Sequence, residues 1–374
     1  LFLAVAAFSV VLYVIVVWAA WRYTSKRQKT VSQQKLPPLT LIKPVKGLEQ
    51  ELEDNLRSFF EQEYPAPVQL VFSSTEPDDP AIDLAKRLAT EYPKTDAAFT
   101  ESDPAFGLNP KVANMQGALA LARYDTVLQT DANMRFTPGF LKRLASEFVS
   151  EKASLLGCLV GGVGERSAWA ALENLQLTAY LGPAMCGAQM VGTTCVVCKT
   201  MLFRRSELEQ LGGFALVKDL LCEDHVLGQT YCEAGKKVVL SPLMAENVNV
   251  RIPLKSFFKR HARWLKMTAV ISTRGYLGQL LLNPLPFALI GWAISGFKWP
   301  LFVAIVALIS LKTLADALLV KRMRGHGMRA VYWCLSPVRD LAAAAIWVYA
   351  LFSRSTEWRG KRFKLGPRTR ILPS

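Results

Sequence analysis

Apolar and polar positions divide this chain into three regimes. Residues 2–21 are apolar and uncharged, long enough to cross a bilayer as one helix. Residues 39–240 alternate short β-branched runs with stretches of helical spacing. Runs at 39–42, 68–72, 97–100 and 125–129 predict strands, and 48–60, 80–90 and 109–122 predict helices, the last two with Pro near their start. That β-α-β-α order predicts an α/β fold with a doubly wound, mostly parallel sheet. Beyond it, 140–148 reads as helix, 154–160 as strand, 167–180 as a helix that could lie on a membrane, and 195–203 as strand. A short helix at 206–211 closed by Gly212-Gly213, a helix at 220–233 and a last short strand at 237–240 complete this regime.

The third regime is apolar again. Residues 276–294 and 299–319 are each long enough to span, and Lys312 and Asp316, four apart in the second, are expected to pair. Residues 331–352 are broken by Pro337, Arg339 and Asp340, which leaves 341–352 short for a span. Four spans would put the basic tail outside, against the positive-inside rule; an interfacial last segment would keep it in the cytoplasm. Between the regimes, residues 253–270 mix Phe257, Phe258 and Trp264 with lysines and arginines. As a helix they carry Arg260, Arg263 and Trp264 on one face and Leu254, Phe258 and Leu265 on another. That predicts an interfacial amphipathic helix with the apolar stripe toward lipid, or a basic helix packed on the soluble domain. The expected organisation is therefore a transmembrane helix at 1–23, a cytosolic domain at 24–252, the amphipathic helix at 253–270, transmembrane segments at 271–352 and a basic tail at 353–374.

Charge sharpens this picture. The chain has 374 residues, is 51% hydrophobic and carries a net charge of +15. Its basic residues flank the apolar segments, at Arg22, Lys26, Arg27 and Lys29, at Lys321, Arg322 and Arg324, and from Arg354 to Arg370. That placement predicts an anionic membrane surface as a partner and no nucleic acid, for no zinc-finger or RNA-binding signature accompanies it. The chain opens on Leu1, so its natural start is expected upstream, and no cleavage site makes the first segment a signal peptide. Seven cysteines include one Cys195-x-x-Cys198 with no second pair, which reads as reduced thiols, not zinc.

Candidate chemistry begins at residues 124–138, where a strand breaks at Thr130-Asp131-Ala132-Asn133. Ligands in open α/β sheets sit past the carboxyl ends of strands. An acid there, with a second oxygen two residues on, can hold a divalent cation against a diphosphate. The same residues are ordinary helix caps. Lys111, after Pro110, could meet phosphate or stand solvated. Glu223 and Asp224 could supply a general base or merely favour a helix N-terminus. Arg260, Arg263 and Trp264 could serve a site or bind headgroups.

Taken in order, Asp78-Asp79, Asp131-Ala132-Asn133, Glu223-Asp224 and Arg260-His-Ala-Arg-Trp264 resemble the D, DxD, D, (Q/R)xxRW pattern of family-2-type GT-A glycosyltransferases. The match is closer to the ceramide glucosyltransferase branch, family 21. LIKPVKG at 41–47, DDPAID at 78–83, GLNPKVAN at 107–114, TDAN at 130–133, MLFRRSELEQLGG at 201–213, EDH at 223–225, RHARW at 260–264 and WRGKRFKL at 358–365 carry it. The resemblance implies a Rossmann-like GT-A domain with transmembrane helices, moving glucose from UDP-glucose to ceramide with inversion. Hopanoid N-acetylglucosaminyltransferases using UDP-N-acetylglucosamine look similar in the same motifs. A processive polysaccharide synthase is a third reading, though it would show Gln where Arg260 stands. On the ceramide reading Asp224 is the base and Asp131 with Asn133 holds Mg2+ or Mn2+. Asp79, or its neighbours Asp78 and Glu76, takes the uridine or ribose. Lys111 and Arg263 take the diphosphate, Arg260 one turn from Arg263 is a second cation, Trp264 lines the acceptor site, and Glu223 is a further motif residue. Asn133 departs from the usual second acid of DxD.

Overall fold

A computed structural model describes residues 1–25, 35–193, 196, 199–353, 355–358 and 361–373; Lys26, Arg27, Lys29, Cys195, Cys198, Arg354 and Arg359 lie outside these. The chain forms two units. One is Lys26–Gly161 with Gly192–Val248; the other is Leu1–Ser25 with Gly162–Val191 and Asn249–Ser374. Residues 162–191 thus leave the expected 24–252 domain.

In chain order, helix α1 (Phe2–Ser25) opens the structure, and the sheet unit begins at β1 (Leu39–Pro44). There follow α2 (Leu52–Phe60), β2 (Val68–Ser74), α3 (Pro80–Glu91), β3 (Asp96–Glu101), α4 (Pro110–Ala120), β4 (Thr126–Thr130), β5 (Met134–Arg135), α5 (Phe140–Ser150) and β6 (Leu155–Val163). Helices α6 (Ala168–Leu175) and α7 (Gly182–Met190) enclose a π-helical stretch, Gln176–Leu181. The sheet unit resumes with β7 (Thr200–Arg204), α8 (Arg205–Gln210), α9 (Glu223–Glu233) and β8 (Val238–Val248). The sheet order is β3-β2-β1-β4-β7-β6-β8-β5.

The expectation of a mostly parallel sheet holds for only half of it. β1 pairs in parallel with β2 and β4, and β2 with β3. β4–β7, β6–β7 and β5–β8 are antiparallel. β1, β2 and β4 are buried on both faces, between α2 and α3 on one side and α4 on the other, which accounts for their legibility, whereas β3 at the edge is only half-buried. β8 runs for 11 residues, longer than the 237–240 run, and buries polar Ser241 and Asn247, which masks it in the apolar pattern. β4 and β1 end together at the carboxyl edge, and this edge carries the candidate chemistry.

The other unit gathers the apolar helices. α10 (Leu254–Ile271) is followed by α11 (Thr273–Leu281), α12 (Pro284–Ile294), α13 (Trp299–Arg324) and α14 (Leu335–Phe352). A small sheet of β9 (Ser355–Trp358), β10 (Lys361–Leu365) and β11 (Ile371–Pro373) closes the chain. Among the described residues three helical stretches are long and apolar enough to cross a membrane, Phe2–Ser25, Trp299–Arg324 and Ala330–Phe352. These fit a membrane protein.

Two span expectations change. The 276–294 segment is bent by 63° between α11 and α12, where Pro284 starts a new helix and removes a backbone donor. The last segment, expected to be cut short, is one helix through Pro337, which sits in its first turn where no intrahelical donor is lost.

Its Arg339 and Asp340 are absorbed in a buried network. Lys312 donates to Asp316 Oδ2 at 2.9 Å, as the spacing predicted, and also reaches Asp340 Oδ1 at 3.2 Å. Tyr13 and Ser336 donate to Asp316 at 2.7 and 2.6 Å, and Arg339 pairs with Asp340. The two cations and two anions cancel.

On α10 the buried residues are Phe257, His261, Ala262, Leu265 and Lys266, so that only Leu265 of the 254/258/265 face is buried within the protein. Leu265 packs with Leu172, Tyr276 and Ile346, Phe258 lies partly against them, and Leu254 is exposed.

Lys312→Met leaves two buried carboxylates short of a cation. It is expected to cost about 3–5 kcal/mol, read as a fall in Tm of the detergent-purified protein. Lys312→Met with Asp316→Asn rebalances the charge and should recover most of that loss. A double variant no more stable than the single one would show that charge balance is not what holds these helices.

Candidate active site

β4 delivers Asp131 to the carboxyl edge of the sheet. β7 runs antiparallel beside it with Thr130 opposite Thr200, so Lys199 falls across from Asp131. The Asp131 amide donates to the Lys199 carbonyl at 3.3 Å, and Thr130 Oγ1 to the same oxygen at 3.0 Å. The Lys199 ammonium then reaches Asp131 Oδ2 at 3.3 Å and Asn133 Oδ1 at 3.4 Å. On the other side Lys111, in the first turn of α4, meets Asp131 Oδ1 at 2.7 Å and Glu223 Oε1 at 3.1 Å. Asn109 caps α4 through its side-chain oxygen and donates its amide to Leu220 O at 2.7 Å and Glu223 Oε2 at 3.4 Å. The starts of α4 and α9 are thereby tied together. Beneath lies Lys43, the end of β1. It is fully buried, donates to the Asp131 carbonyl at 2.8 Å and sits 3.6 Å over the Phe59 ring.

These contacts set the electrostatics. Burial pushes the Asp131 carboxyl up, but the Lys111 and Lys199 ammoniums outweigh it and hold it well below the usual carboxylate range. Glu223 goes the other way: burial raises it, Lys111 opposes, and the Asp224 charge adds to the rise. Burial draws Lys43 well below the usual lysine range, against the pull of Asp131. Asp224 is half-buried at the start of α9, and its Oδ1 accepts from His225 N at 2.8 Å and the Cys222 thiol at 3.3 Å.

Asp131 Oδ2 and Asn133 Oδ1 converge on one cationic point, which the Lys199 ammonium marks. Two hard oxygens suit Mg2+ or Mn2+ when a diphosphate and water complete the shell. Among the described residues no group of three or more His, Cys, Asp and Glu side chains could hold a metal alone. The residues fit a cation that arrives with its diphosphate.

Asp79 is built into the fold. Its Oδ1 accepts from Ala81 N at 2.9 Å, capping α3, and from Gly47 N at 2.8 Å; Oδ2 accepts from Ser74 Oγ at 2.6 Å. Gly47 has φ +61, which suits glycine in this turn. The cap role expected of such residues is present here, and a ribose would have to compete with three donors. Asp78 and Glu76 lie beside it, Glu76 paired with Lys46 at 2.6 Å.

Arg260, Arg263 and Trp264 lie in the other unit, on α10. Arg260, expected as a second cation on the diphosphate, gives its guanidinium to Glu173 at 2.8 Å, and His261 meets the same carboxylate at 3.0 Å. Arg263 donates to Glu357 O at 3.4 Å, and Trp264 stands edge-on to His261. Glu173, on α6, is completely buried. Burial raises its carboxyl, yet His261 and Arg260 overcome this and lower it to about 2. Cys195 and Cys198, expected beside the site, lie outside the described residues.

Lys43, Asn109, Lys199 and Glu173 carry no predicted role. Lys43 had one visible signal, a lysine just past the apolar 39–42 run; Lys199 lay inside the 195–203 run and is at a strand edge only because β7 starts at Thr200.

A family model described as glycosyl transferase family 21 matches residues 1–371. The chain belongs to that family. Two ceramide glucosyltransferases of Caenorhabditis elegans are similar to this family 21 chain over most of its length. Ceramide glucosyltransferase 3 is 26% identical over 358 residues, covering 92% of this chain and 76% of that protein. Ceramide glucosyltransferase 1 is 24% identical over 350 residues, covering 91% and 74%. A mannosyltransferase from Pyrobaculum calidifontis, solved with GDP-Man and Mn2+, matches with a TM-score of 0.54 at 18% identity, over 93% of this chain and 99% of that one. That likeness is one of fold, and it agrees with the GT-A domain and transmembrane helices expected for family 21.

Glu173 offers a pH test. Its carboxyl lies below its ordinary value in the folded chain, so its stabilisation is complete above the ordinary carboxylate range and is lost as pH falls toward 2. The shift corresponds to about 3 kcal/mol. Glu173→Gln should lower Tm at neutral pH and narrow the gap to wild type as pH falls through about 4. Parallel Tm curves from pH 7 to 3 would show that the carboxylate charge contributes nothing.

Proposed function

We propose that this chain transfers glucose from UDP-glucose to the primary hydroxyl of ceramide, with inversion, giving glucosylceramide. The observation that carries the reading is the similarity to ceramide glucosyltransferases along nearly the whole chain, apolar helices included. The acid–lysine cluster supplies the chemistry. Asp224 is the general base: half-exposed at a helix start, it takes the proton of the acceptor hydroxyl as oxygen attacks the anomeric carbon. A single base and direct displacement give inversion. Glu223 is held by Lys111 and Asn109 and so positions α9 instead of receiving that proton.

Lys111 contributes a cation for the diphosphate as it departs. Asp131 and Asn133 would hold Mg2+ or Mn2+, which when bound supplies Lewis-acid neutralisation of the leaving group. Asp79 keeps its nearest neighbours ordered, and Asp78 or Glu76 beside it serves the uridine or ribose. Arg263 and Trp264 are assigned to diphosphate and acceptor on the motif alone. The catalytic domain faces the cytoplasm of a multi-pass protein, with basic flanks on anionic headgroups. A hopanoid acceptor with UDP-N-acetylglucosamine uses the same motifs and is the arm to exclude.

Two measurements test this. Asp224→Asn should lower turnover by roughly a hundredfold or more with UDP-glucose binding near wild type; near-normal turnover would remove Asp224 from the role. Purified protein offered ceramide, a hopanoid polyol and diacylglycerol, each with UDP-glucose and UDP-N-acetylglucosamine, should turn over ceramide with UDP-glucose. Excess chelator should abolish that turnover and Mg2+ or Mn2+ restore it. Preferred use of the hopanoid would reassign the acceptor, and full activity in chelator would reject the cation.

A further inference from the structure

Lys199 belongs to none of the motifs, yet it holds both members of the Asp131–Asn133 pair. Its backbone is pinned by β4, through Asp131 N and Thr130 Oγ1 on its carbonyl. The contacts its ammonium makes with that pair are long, 3.3 Å to Asp131 Oδ2 and 3.4 Å to Asn133 Oδ1, where charge-assisted bonds usually measure about 2.7–2.9 Å. Lys111, on the other Asp131 oxygen at 2.7 Å, is by contrast firmly seated. A divalent cation held by Asp131 Oδ2 and Asn133 Oδ1 would need the volume this ammonium fills, and the two charges would repel.

We propose that Lys199 is a resident counter-ion of the ligand pair, exchanged for the divalent cation only when a nucleoside diphosphate arrives to receive its ammonium. The proposal rests on the sugar-transfer reading above. Asn133 suits the exchange. A second carboxylate there would hold the ammonium by two charges, whereas a neutral amide lets it go. A cation alone competes with the ammonium and brings no anion to receive it. The nucleotide's phosphate oxygens supply that destination, so cation and nucleotide bind as a pair. Lys199 is thus a positioning residue before loading and a phosphate contact after it.

The coupling is measurable without turnover. Mn2+ binding to the full chain in detergent is followed by the electron paramagnetic resonance signal of free Mn2+, with and without UDP. In wild type, UDP should tighten Mn2+ binding by roughly tenfold or more. Lys199→Met should bind Mn2+ about tenfold tighter than wild type without UDP and lose most of the UDP effect, since the competing charge is gone. Lys199→Arg keeps the charge and should keep the coupling. If Lys199→Met lowers Tm, Lys199→Gln carries the same comparison with a polar side chain. Neutral variants that bind Mn2+ no tighter than wild type without UDP would overturn the exchange and leave the sugar-transfer reading intact. A wild-type chain that binds neither Mn2+ nor UDP would overturn both.

Discussion

Two carboxylates, Asp131 from a strand and Glu223 from a helix, share one edge of the sheet because the Lys111 ammonium stands between them. Buried acids brought together without a cation take up protons, and each would then lose its charge and its geometry. Lys111 prevents this from a fixed position, the first turn of a helix whose cap, Asn109, also binds the loop before α9 and Glu223 itself. One short stretch, Asn109-Pro110-Lys111, therefore fixes α9 relative to β4. Breaking a buried pair of this kind is costly because the partner charge stays behind. Asp224 depends on the same arrangement, since its backbone position is that of the α9 start.

The lysines around Asp131 divide the labour by depth. Lys43, at the bottom, binds a carbonyl and lies over an aromatic ring, and burial disfavours its charge. It supports the turn more than it adds a cation. Lys111 and Lys199, half-buried, keep their charges against the carboxylate. The edge thus presents a strong anion flanked by one fixed cation, Lys111, and one more loosely held, Lys199.

Much of the parallel half was legible because buried parallel strands are continuous apolar runs, as at 39–42 and 68–72. The antiparallel half was not. β5 has two residues, too few for any period, and β8 hides buried polar side chains in its length. The acids at 131, 223 and 224 were visible as motif members, whereas Lys199 meets Asp131 through the register of two strands, 68 residues away in sequence, which spacing does not reveal. Asp79 shows how one residue type serves two readings: its three donors come from Gly47, Ser74 and Ala81, which only the folded turn assembles. On α10 nothing in the apolar count pointed to Glu173, the buried acid on another helix that takes both Arg260 and His261.

The charged cluster among the apolar helices has a consequence for how the chain is made. Lys312 and Asp316 sit one turn apart on α13, and Arg339 and Asp340 are adjacent on α14. Each helix therefore carries its own counter-charge and can enter a bilayer as a neutral pair, without waiting for a partner. Tyr13, by contrast, is synthesised some 300 residues before Asp316, the group its hydroxyl finally meets at 2.7 Å. An uncharged phenol can wait in lipid at modest cost, where a carboxylate could not. The order of synthesis and the placement of charge agree: the early helix brings the neutral donor, and the late helices bring ions already matched.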